Sequence, residues 1–459
     1  MKTLFGIRLS KVNLSLLIIN VFWYIALFPG RLGFDNALAL DMIRNGDSTD
    51  WWTGTFWRIL QVTTFQGHTI AILSGIQLVL LAVSFNYLVN SLPNLNIDIA
   101  KKSQIILSLT PIYGFFALSI SHDVFQCSAL LLMTGYVARL RQNLPITYFV
   151  EIVLLLTITF SISTVKTGVF FILLLMLAIF RFSSDQTSKL FLVLGVSSLL
   201  TFVSPLGLDS SWSQSGKFTP FLGDMKCIVQ HPDAQVKAKT WQYLEGISPR
   251  HKWLSPTTCT GLESAVETLE PNFASLSINM EFLTHYTLLV SSNPEIFVMG
   301  HIVRSREALP PLLFPPPENQ VSFDFSVPLG NGTNAELQNG PPLLHPSIDS
   351  HLLDQRILIL KPLEVLVQLP AFLVNQASWF WGWAGLWYVI AMVALAKSRA
   401  LGNTSNLVYV MSPVTFLHLI VVAIGFNPQG RHLMISILLG VYFGIYSLSK
   451  FFAPSSKGS

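Results

Sequence analysis

The chain has 459 residues, of which 51% are hydrophobic and only 11% are charged, and its formal net charge is +4. A soluble domain carries about 25% charged residues, so this composition, with a mean hydropathy of +0.54, excludes an ordinary soluble protein and indicates a polytopic membrane protein. The small net charge, without a basic cluster interleaved with aromatic residues, argues against nucleic-acid binding.

Apolar segments long enough, or nearly long enough, to cross a bilayer recur along the chain. They predict an all-α polytopic membrane bundle of about ten transmembrane helices. No small-residue cleavage site follows the first segment, so we expect a retained helix there and not a signal peptide. The predicted spans cover residues 12–29, 69–90, 104–120, 124–138, 146–163, 168–182, 189–206, 378–396, 406–426 and 432–449.

Basic residues fall on alternate connections between these spans. They are Lys101, Lys102, Arg139, Arg141, Arg181, Lys189, Lys397, Arg399, Lys450 and Lys457. Because cytoplasmic connections carry the excess of Lys and Arg, this side is predicted to be cytoplasmic, together with both chain termini. We expect a multi-pass protein of a bacterial inner or plasma membrane.

Three parts are predicted along the chain. They are a transmembrane module at 1–206, an extracytoplasmic loop region at 207–377 and the last transmembrane helices at 378–459. The middle part is expected to be one long irregular outer region with interfacial helices. Its apolar stretch 280–303 is interrupted by Asn293-Pro294, which predicts two short helices along the interface. Residues 309–350 are rich in Pro, Gly and Asn and predict an irregular loop.

Two of the three cysteines, Cys227 and Cys259, share this middle part. If it faces an oxidising compartment, they are candidates for a disulfide, and two free thiols are the alternative. Cys127 lies in an apolar stretch and is expected to be a small buried hydrophobic residue.

The first outer loop carries the leading candidate for catalysis. Asp35 follows the first span closely, and the pattern of residues 36–45 predicts a short helix on the membrane with Asp35 at or near its N-cap. The carboxylate either caps that helix or acts as a general base near the bilayer, where ionisable groups are functional candidates. Asp50, Trp51 and Trp52 follow, as an aromatic-belt anchor or as a sugar contact.

His122 and Asp123 occupy the short turn between spans three and four. They either cap span four or add a second acidic group, or a metal ligand, to the site. No other His or Cys lies at ligand spacing, so the sequence indicates no certain cofactor, and a divalent metal is an open alternative that the ligand spacing does not support. His68, at the start of span two, is either an interfacial residue or a substrate contact.

Lys166 and Arg431 lie in short turns on the predicted outer side. The positive-inside bias disfavours cations there. They either anchor to phospholipid headgroups or bind the phosphate of a lipid-linked donor, where Arg offers a bidentate fork and Lys a point charge.

Taken together, these positions resemble GT-C-type integral-membrane glycosyltransferases, and in particular poorly characterised bacterial members. The resemblance is carried by Pro29-Gly30, Asp35, Asp50-Trp51-Trp52, the acidic turn after span three, Lys166 before span six and the turn Asn427-Pro428-Gln429-Gly430-Arg431-His432. In that turn His432 replaces the aromatic residue usual after the Arg. The resemblance covers mainly residues 12–206 and 406–449.

The resemblance implies transfer of a sugar from a polyprenyl-phosphate-linked donor to a glycan, lipid or protein acceptor on the extracytoplasmic face, in the cell envelope. It implies Asp35 as general base, with Lys166 and Arg431 near the donor phosphate. The alternatives are a transporter or flippase of a lipid-linked or small polar substrate, and a surface-polysaccharide polymerase or ligase. Because most ionisable groups gather at one face and not at mid-membrane, an enzyme is favoured over a transporter.

Overall fold

A computed structural model describes a large part of the chain, and the part that it describes is mostly helical. Predicted spans five, six and seven (146–163, 168–182 and 189–206) lie outside the described residues. The description covers residues 11–28, 30–32, 34–46, 54–92, 94–144, 188, 213–256, 259, 266, 268–271, 276–305, 308–309, 378–381, 383–398, 405–424 and 433–452.

The elements before the undescribed spans are α1 (Lys11–Ala26), β1 (Arg31–Leu32), α2 (Phe34–Asn45), α3 (Gly54–Thr63), α4 (Ala71–Asn90), α5 (Ile97–Leu109), α6 (Pro111–Leu118), β2 (Ser119–Ile120) and α7 (His122–Arg141). Those after them are α8 (Ser213–Gln230), α9 (Ala238–Ile247), α10 (Arg250–Leu254), α11 (Met280–Ser292), α12 (Pro294–Arg304), α13 (Ser378–Trp381), α14 (Ala384–Ser398), α15 (Ser405–Ile424) and α16 (Met434–Phe452).

Three helices in the described part are long and apolar enough to cross a membrane. The apolar stretches are Ala71–Asn90 in α4, Asn406–Ala423 in α15 and Met434–Phe452 in α16. Helices α1 and α14 are apolar but shorter. All of them overlap spans that the hydropathy predicted, so the composition and the helices agree on a membrane protein.

Span three was predicted to be a single helix at 104–120, and the structure differs from this prediction. The helix starts earlier, at Ile97, and is interrupted after Leu109. Thr110 has extended dihedral angles (φ −70°, ψ 141°) and Pro111 opens α6. Pro111 has no amide hydrogen and disfavours a helical conformation in the residue before it, so it begins a new helix instead of continuing the old one. The prediction of one continuous helix was wrong.

Trp23 of α1 compensates for this interruption. Its indole Nε1 donates to the Ser108 carbonyl, 2.7 Å away, at the end of α5. Its ring lies directly on Gly114 of α6, where any Cβ atom would overlap the indole. A carbonyl without a helical partner is costly in an apolar environment, so one side chain both satisfies and covers the break.

One hydrophobic core joins α1, α4 to α7 and α14 to α16. Within it, the backbones of α14 and α16 approach each other closely. A Cβ atom on Gly440 would lie 2.8 Å from the Cα atom of Trp387, whereas one on Gly444 would lie 3.6 Å from Ile390 Cγ2. Gly440 and Gly444 are four residues apart, and small residues at this spacing let membrane helices pack backbone to backbone.

Residues 213–305 lie in the region that we expected to be one long irregular outer region with interfacial helices, and they are more ordered than that expectation. Those that the structure describes form helices α8 to α12 around a hydrophobic core of their own. Fully or nearly fully buried members of that core are Phe218, Leu222, Met225, Leu244, Trp253, Val266, Leu269, Phe282 and Leu289. The polar composition hid this core because its apolar residues are spread over short helices. We call α8 to α12 the connecting subdomain.

The predicted helix break at Asn293-Pro294 is confirmed, since α11 ends at Ser292 and α12 begins at Pro294. The Asn293 side chain holds the break by donating to the Leu289 carbonyl, 2.8 Å away. The apolar face of α11 packs Phe282 and Leu289 into the subdomain core.

Cys227 and Cys259 form a disulfide across the connecting subdomain, with their Cα atoms 5.6 Å apart. Next to it, Lys226 is fully buried. Its ammonium donates to the Lys252 carbonyl and to both Ser255 oxygens, each of the latter 2.9 Å away. Burial lowers the pKa of Lys226 to about 8. The disulfide and the lysine therefore fasten the same turn to α8.

Replacing Gly440 with Ala is expected to loosen the contact between α14 and α16. The new Cβ atom would overlap the Trp387 backbone, which has no rotamer with which to avoid it, and overpacking of this kind costs about 1–3 kcal/mol. Gly444→Ala is the matched control, because its Cβ atom would make an ordinary contact. Thermal unfolding of the purified protein in detergent measures both, and equal melting temperatures would disprove the close approach.

Lys226 predicts a pH dependence. The unfolded chain holds this proton up to about pH 10.5, whereas the folded chain releases it near pH 8. The free energy of unfolding therefore rises as the pH rises from about 8 towards 10.5. This gain is lost again as the pH falls back through about 8. Urea midpoints followed by proteolysis of the connecting subdomain are expected to rise over that window, and Lys226→Met is expected to flatten the rise. An unchanged slope in the variant would contradict this origin.

Candidate functional site

The first loop is joined to the turn before α7 by a short parallel pairing of β1 and β2. Arg31 pairs with Ser119, and Leu32 pairs with Ile120. Helix α2 starts two residues after β1, and α7 starts two residues after β2. The two connections that carry the acidic candidates therefore leave the same backbone ladder side by side.

Gly30 makes this approach feasible. Its φ angle is +133°, in the region that L side chains rarely adopt, and a Cβ atom there would lie 2.9 Å from Ser74 Cβ. It would also lie 3.2 Å from the Leu118 carbonyl oxygen. Gly30, one of the residues noted in the sequence, thus marks the point where the loop passes between α4 and the end of α6.

Asp35 is the second residue of α2, and the structure describes its backbone alone. An acidic residue in the first turn complements the helix dipole. Further along α2, Ala39, Leu40 and Ile43 are buried against α3, the start of α4, β2 and α7. Their buried side contacts protein, so packing holds the Asp35 helix against the ends of α4 and α7.

His122 and Asp123 open α7 but do not cap it. The cap is Ser121, whose Oγ accepts from the Asp123 amide at 3.1 Å. The same hydroxyl donates to Asp123 Oδ2, 2.7 Å away. His122 Nε2 lies 3.5 Å from Asp123 Oδ1, and Phe56 meets the imidazole edge-to-face, with the ring centroids 6.1 Å apart.

The two residues differ in access. The His122 side chain is 25% exposed, whereas the Asp123 side chain is fully buried. The Asp123 carboxylate accepts a hydrogen bond from the Ser121 hydroxyl and is shielded from solvent, so His122 is the accessible member of the pair.

His68 ends a turn in which Phe65, Gln66 and Gly67 all have positive φ angles. The Arg44 Nε atom at the end of α2 donates to the Gly67 carbonyl, 3.0 Å away. His68 itself is exposed. The turn therefore closes the loop region formed by α2 and α3, with the His68 side chain on its surface.

Several predicted site residues lie outside the described residues: Lys166, Arg431, Asp50, Trp51 and Trp52. Their placement beside Asp35 stays a prediction. In the part of the chain that is described, no group of three or more His, Cys, Asp or Glu residues is arranged to hold a metal ion.

A buried polar cluster that the sequence reasoning missed lies in the connecting subdomain. Asp224 of α8 is 4% exposed and pairs with Arg304 of α12, which is 2% exposed. His301 Nε2 lies 3.2 Å from Asp224 Oδ2, and the Tyr286 hydroxyl donates to the same oxygen at 3.0 Å. Burial and the adjacent carboxylate raise the pKa of Tyr286, so its hydroxyl keeps its proton and donates. The only sequence signal was a His and an Arg three residues apart.

This cluster fastens the connecting subdomain to the membrane bundle. His301 Nδ1 lies 3.3 Å from the Val422 carbonyl of α15, and the Ser305 hydroxyl donates to the Val421 carbonyl, also at 3.3 Å. Both imidazole nitrogens of His301 thus face oxygen atoms, one of Asp224 and one of the α15 backbone. The joint lies near the end of α15, and residues 425–432, which include Arg431, follow outside the described residues.

Comparison of the chain with protein-family models, with curated proteins and with solved structures found no match. Function is therefore inferred from the residues themselves.

Replacing Asp224 with Asn is expected to destabilise the joint strongly. The change removes the negative charge between Arg304 and His301, and leaving a buried charge unpaired costs about 3–5 kcal/mol. Asp233→Asn is the control, because that carboxylate is 88% exposed and approaches only the half-exposed His231 at 3.8 Å. Urea unfolding in detergent measures both variants. A loss no larger than that of the control would show that the cluster does not hold the fold.

Proposed function

We propose that this protein is a membrane glycosyltransferase that moves a sugar from a polyprenyl-phosphate-linked donor to an acceptor hydroxyl on the extracytoplasmic face. Asp35 is the general base. The proposal includes the full predicted topology of about ten spans with both termini cytoplasmic.

The backbone pairing of β1 with β2 carries the proposal. It sets the start of α2, with Asp35, beside the start of α7, with His122. The acceptor hydroxyl would donate its proton to the Asp35 carboxylate as the oxygen attacks the sugar. His122, beside the buried Asp123, would contact the acceptor or the sugar.

The remaining requirement is stabilisation of the departing lipid phosphate. A phosphate is already a good leaving group, so positive charge can take the place of a general acid. Lys166 and Arg431 are the proposed cations. Arg431 follows α15 in the chain, and the joint with the connecting subdomain fixes the end of that helix.

The acceptor is a glycan, a lipid or a protein of the cell envelope. Trp51 and Trp52 would stack on a sugar ring, with Asp50 and His68 as further polar contacts. No metal takes part in the proposed mechanism, since the charge of the phosphate is met by side chains.

A transporter or flippase is the second candidate, and the interruption between α5 and α6 favours it. Transporters bind substrate where transmembrane helices are broken, and here α5 ends at Leu109 and α6 begins at Pro111. Against it, the Ser108 carbonyl at the break is already bound by Trp23, so this atom is occupied by protein and does not coordinate substrate.

Asp35→Asn tests the proposal. With purified protein and a polyprenyl-phosphate sugar, we expect the rate of transfer to fall about 100- to 10,000-fold, as is typical when a general base is lost. Asp41→Asn is the matched control, because it removes a carboxylate from the same helix. Thermal unfolding of both variants shows that the fold is kept.

Equal turnover by wild type and Asp35→Asn would refute the general-base role. Movement of labelled substrate across proteoliposomes without any covalent product would establish the transporter in place of the enzyme. The two measurements use the same protein preparation, so they separate the candidates directly.

A further inference from the structure

Helix α12 is arranged in the opposite way to an ordinary surface helix. Its two basic residues are buried: His301 is 7% exposed and Arg304 is 2% exposed, and both contact the buried Asp224. Three of its aliphatic residues are about half exposed: Val298 (51%), Met299 (55%) and Val303 (44%). A helix that borders water shows the reverse, with its apolar residues towards the core and its polar residues outside.

The exposed aliphatic residues form one stripe. With 3.6 residues per turn, they fall within an arc of about 140° around the helix axis, and His301 and Arg304 lie on the other side. Single exposed apolar residues are common on protein surfaces and need no explanation. A stripe along one side of a helix whose other side buries basic residues does need one. We call Val298, Met299 and Val303 the apolar face of α12.

The contact with α15 places α12 at the edge of the bilayer. His301 Nδ1 lies 3.3 Å from the Val422 carbonyl, in the last turn of the 18-residue apolar stretch Asn406–Ala423. A helix of that length extends about 27 Å, close to the hydrocarbon thickness of about 30 Å. Leu419, one turn before the contact, is 56% exposed on this membrane-crossing helix. Helix α12 therefore meets α15 near the boundary between hydrocarbon and headgroups, beside surface that faces lipid.

The size and the setting of the apolar face favour lipid over a protein partner. A stable interface between folded proteins uses about 20–30 residues a side, whereas this face has three. Lipid requires no such minimum, because the bundle already holds the protein in the membrane and each aliphatic side chain gains by leaving water. The face also continues the exposed aliphatic surface of α15, where Leu419 lies.

We propose that the apolar face of α12 is a lipid-contact surface that inserts into the membrane interface. Glu295, which is exposed on the same side one turn before Met299, lies at headgroup level, and the three aliphatic residues lie among the upper acyl chains. One short helix thus holds the connecting subdomain twice, by the polar joint on its inner side and by lipid on its outer side.

The proposal goes beyond the interfacial helices that the sequence predicts at 280–303. It assigns the lipid contact to one side of α12, whereas the apolar residues Phe282 and Leu289 of α11 face the core of the subdomain. It does not depend on sugar transfer, because Asp35 is not part of α12.

Photocrosslinking identifies what covers the face. The full-length protein carries p-benzoylphenylalanine in place of Met299 and is placed in nanodiscs of phosphatidylcholine. After irradiation, mass spectrometry is expected to find an adduct of one phosphatidylcholine on α12. The control carries the same amino acid in place of Asp233, a charged residue of the same subdomain that is 88% exposed, and it is expected to give no lipid adduct.

The other outcomes each overturn the proposal. A crosslink from position 299 to residues 310–377 of the same chain would show that this segment covers the face, and a crosslink to a second copy would show an oligomer interface. Failure to form any adduct would show that the face borders water. Equal lipid adducts from positions 299 and 233 would show that contact with lipid is not specific to the face.

A charge within the stripe tests the same contact from the opposite direction. Val298→Asp is expected to lower the yield of lipid adduct at position 299 severalfold, because a carboxylate is costly among acyl chains and draws this side of the helix towards water. Val298→Leu is the matched control and is expected to keep the yield. Thermal unfolding shows that both variants are folded, and an unchanged yield in folded Val298→Asp would contradict insertion.

Discussion

Interruptions of helices within the apolar bundle impose the constraint on which the rest of this structure depends. A free carbonyl there finds no water, so protein groups have to satisfy it. Trp23 donates to Ser108 where α5 ends, and Gln77 of α4 donates to the Ser121 carbonyl before α7. The pairing of β1 with β2 likewise satisfies backbone groups of these two short strands. Each compensating group also fixes two elements against each other, so the breaks become the joints of the fold.

The same rule governs the chain where the connecting subdomain meets the bundle. The Ala308 carbonyl lies 2.8 Å from His418 Nδ1, and the Leu309 carbonyl accepts a hydrogen bond from Trp383 Nε1 at 3.0 Å. Gly385 is required at this point, because a Cβ atom there would overlap the Leu309 carbonyl. Arg304, which pairs with the buried Asp224, precedes this segment in the chain. At each of these described positions, side chains thus supply the partners of irregular backbone.

These joints also hold the helix on which Asp35, the proposed general base, lies. A loop helix such as α2 would be mobile if only lipid supported it. Here its buried residues pack against α3, α4 and α7, and Gly30 lets its leading strand approach β2. Asp35 therefore begins a helix fixed from both sides. The proposed acceptor site needs this rigidity, because proton transfer requires the base within hydrogen-bond reach of the hydroxyl.

The sequence by itself determined the membrane class, the helices at the predicted spans 69–90, 406–426 and 432–449, and the break at Asn293-Pro294, because apolar length and proline chemistry are local properties. It also contained Pro111, yet hydropathy alone concealed the break, since both sides of it are apolar. Only the tertiary structure decided that β1 pairs with β2, that Asp224 meets Arg304, and that His301 meets the end of α15. Those contacts join residues far apart in the chain, and no local pattern of polarity specifies which buried polar groups will meet.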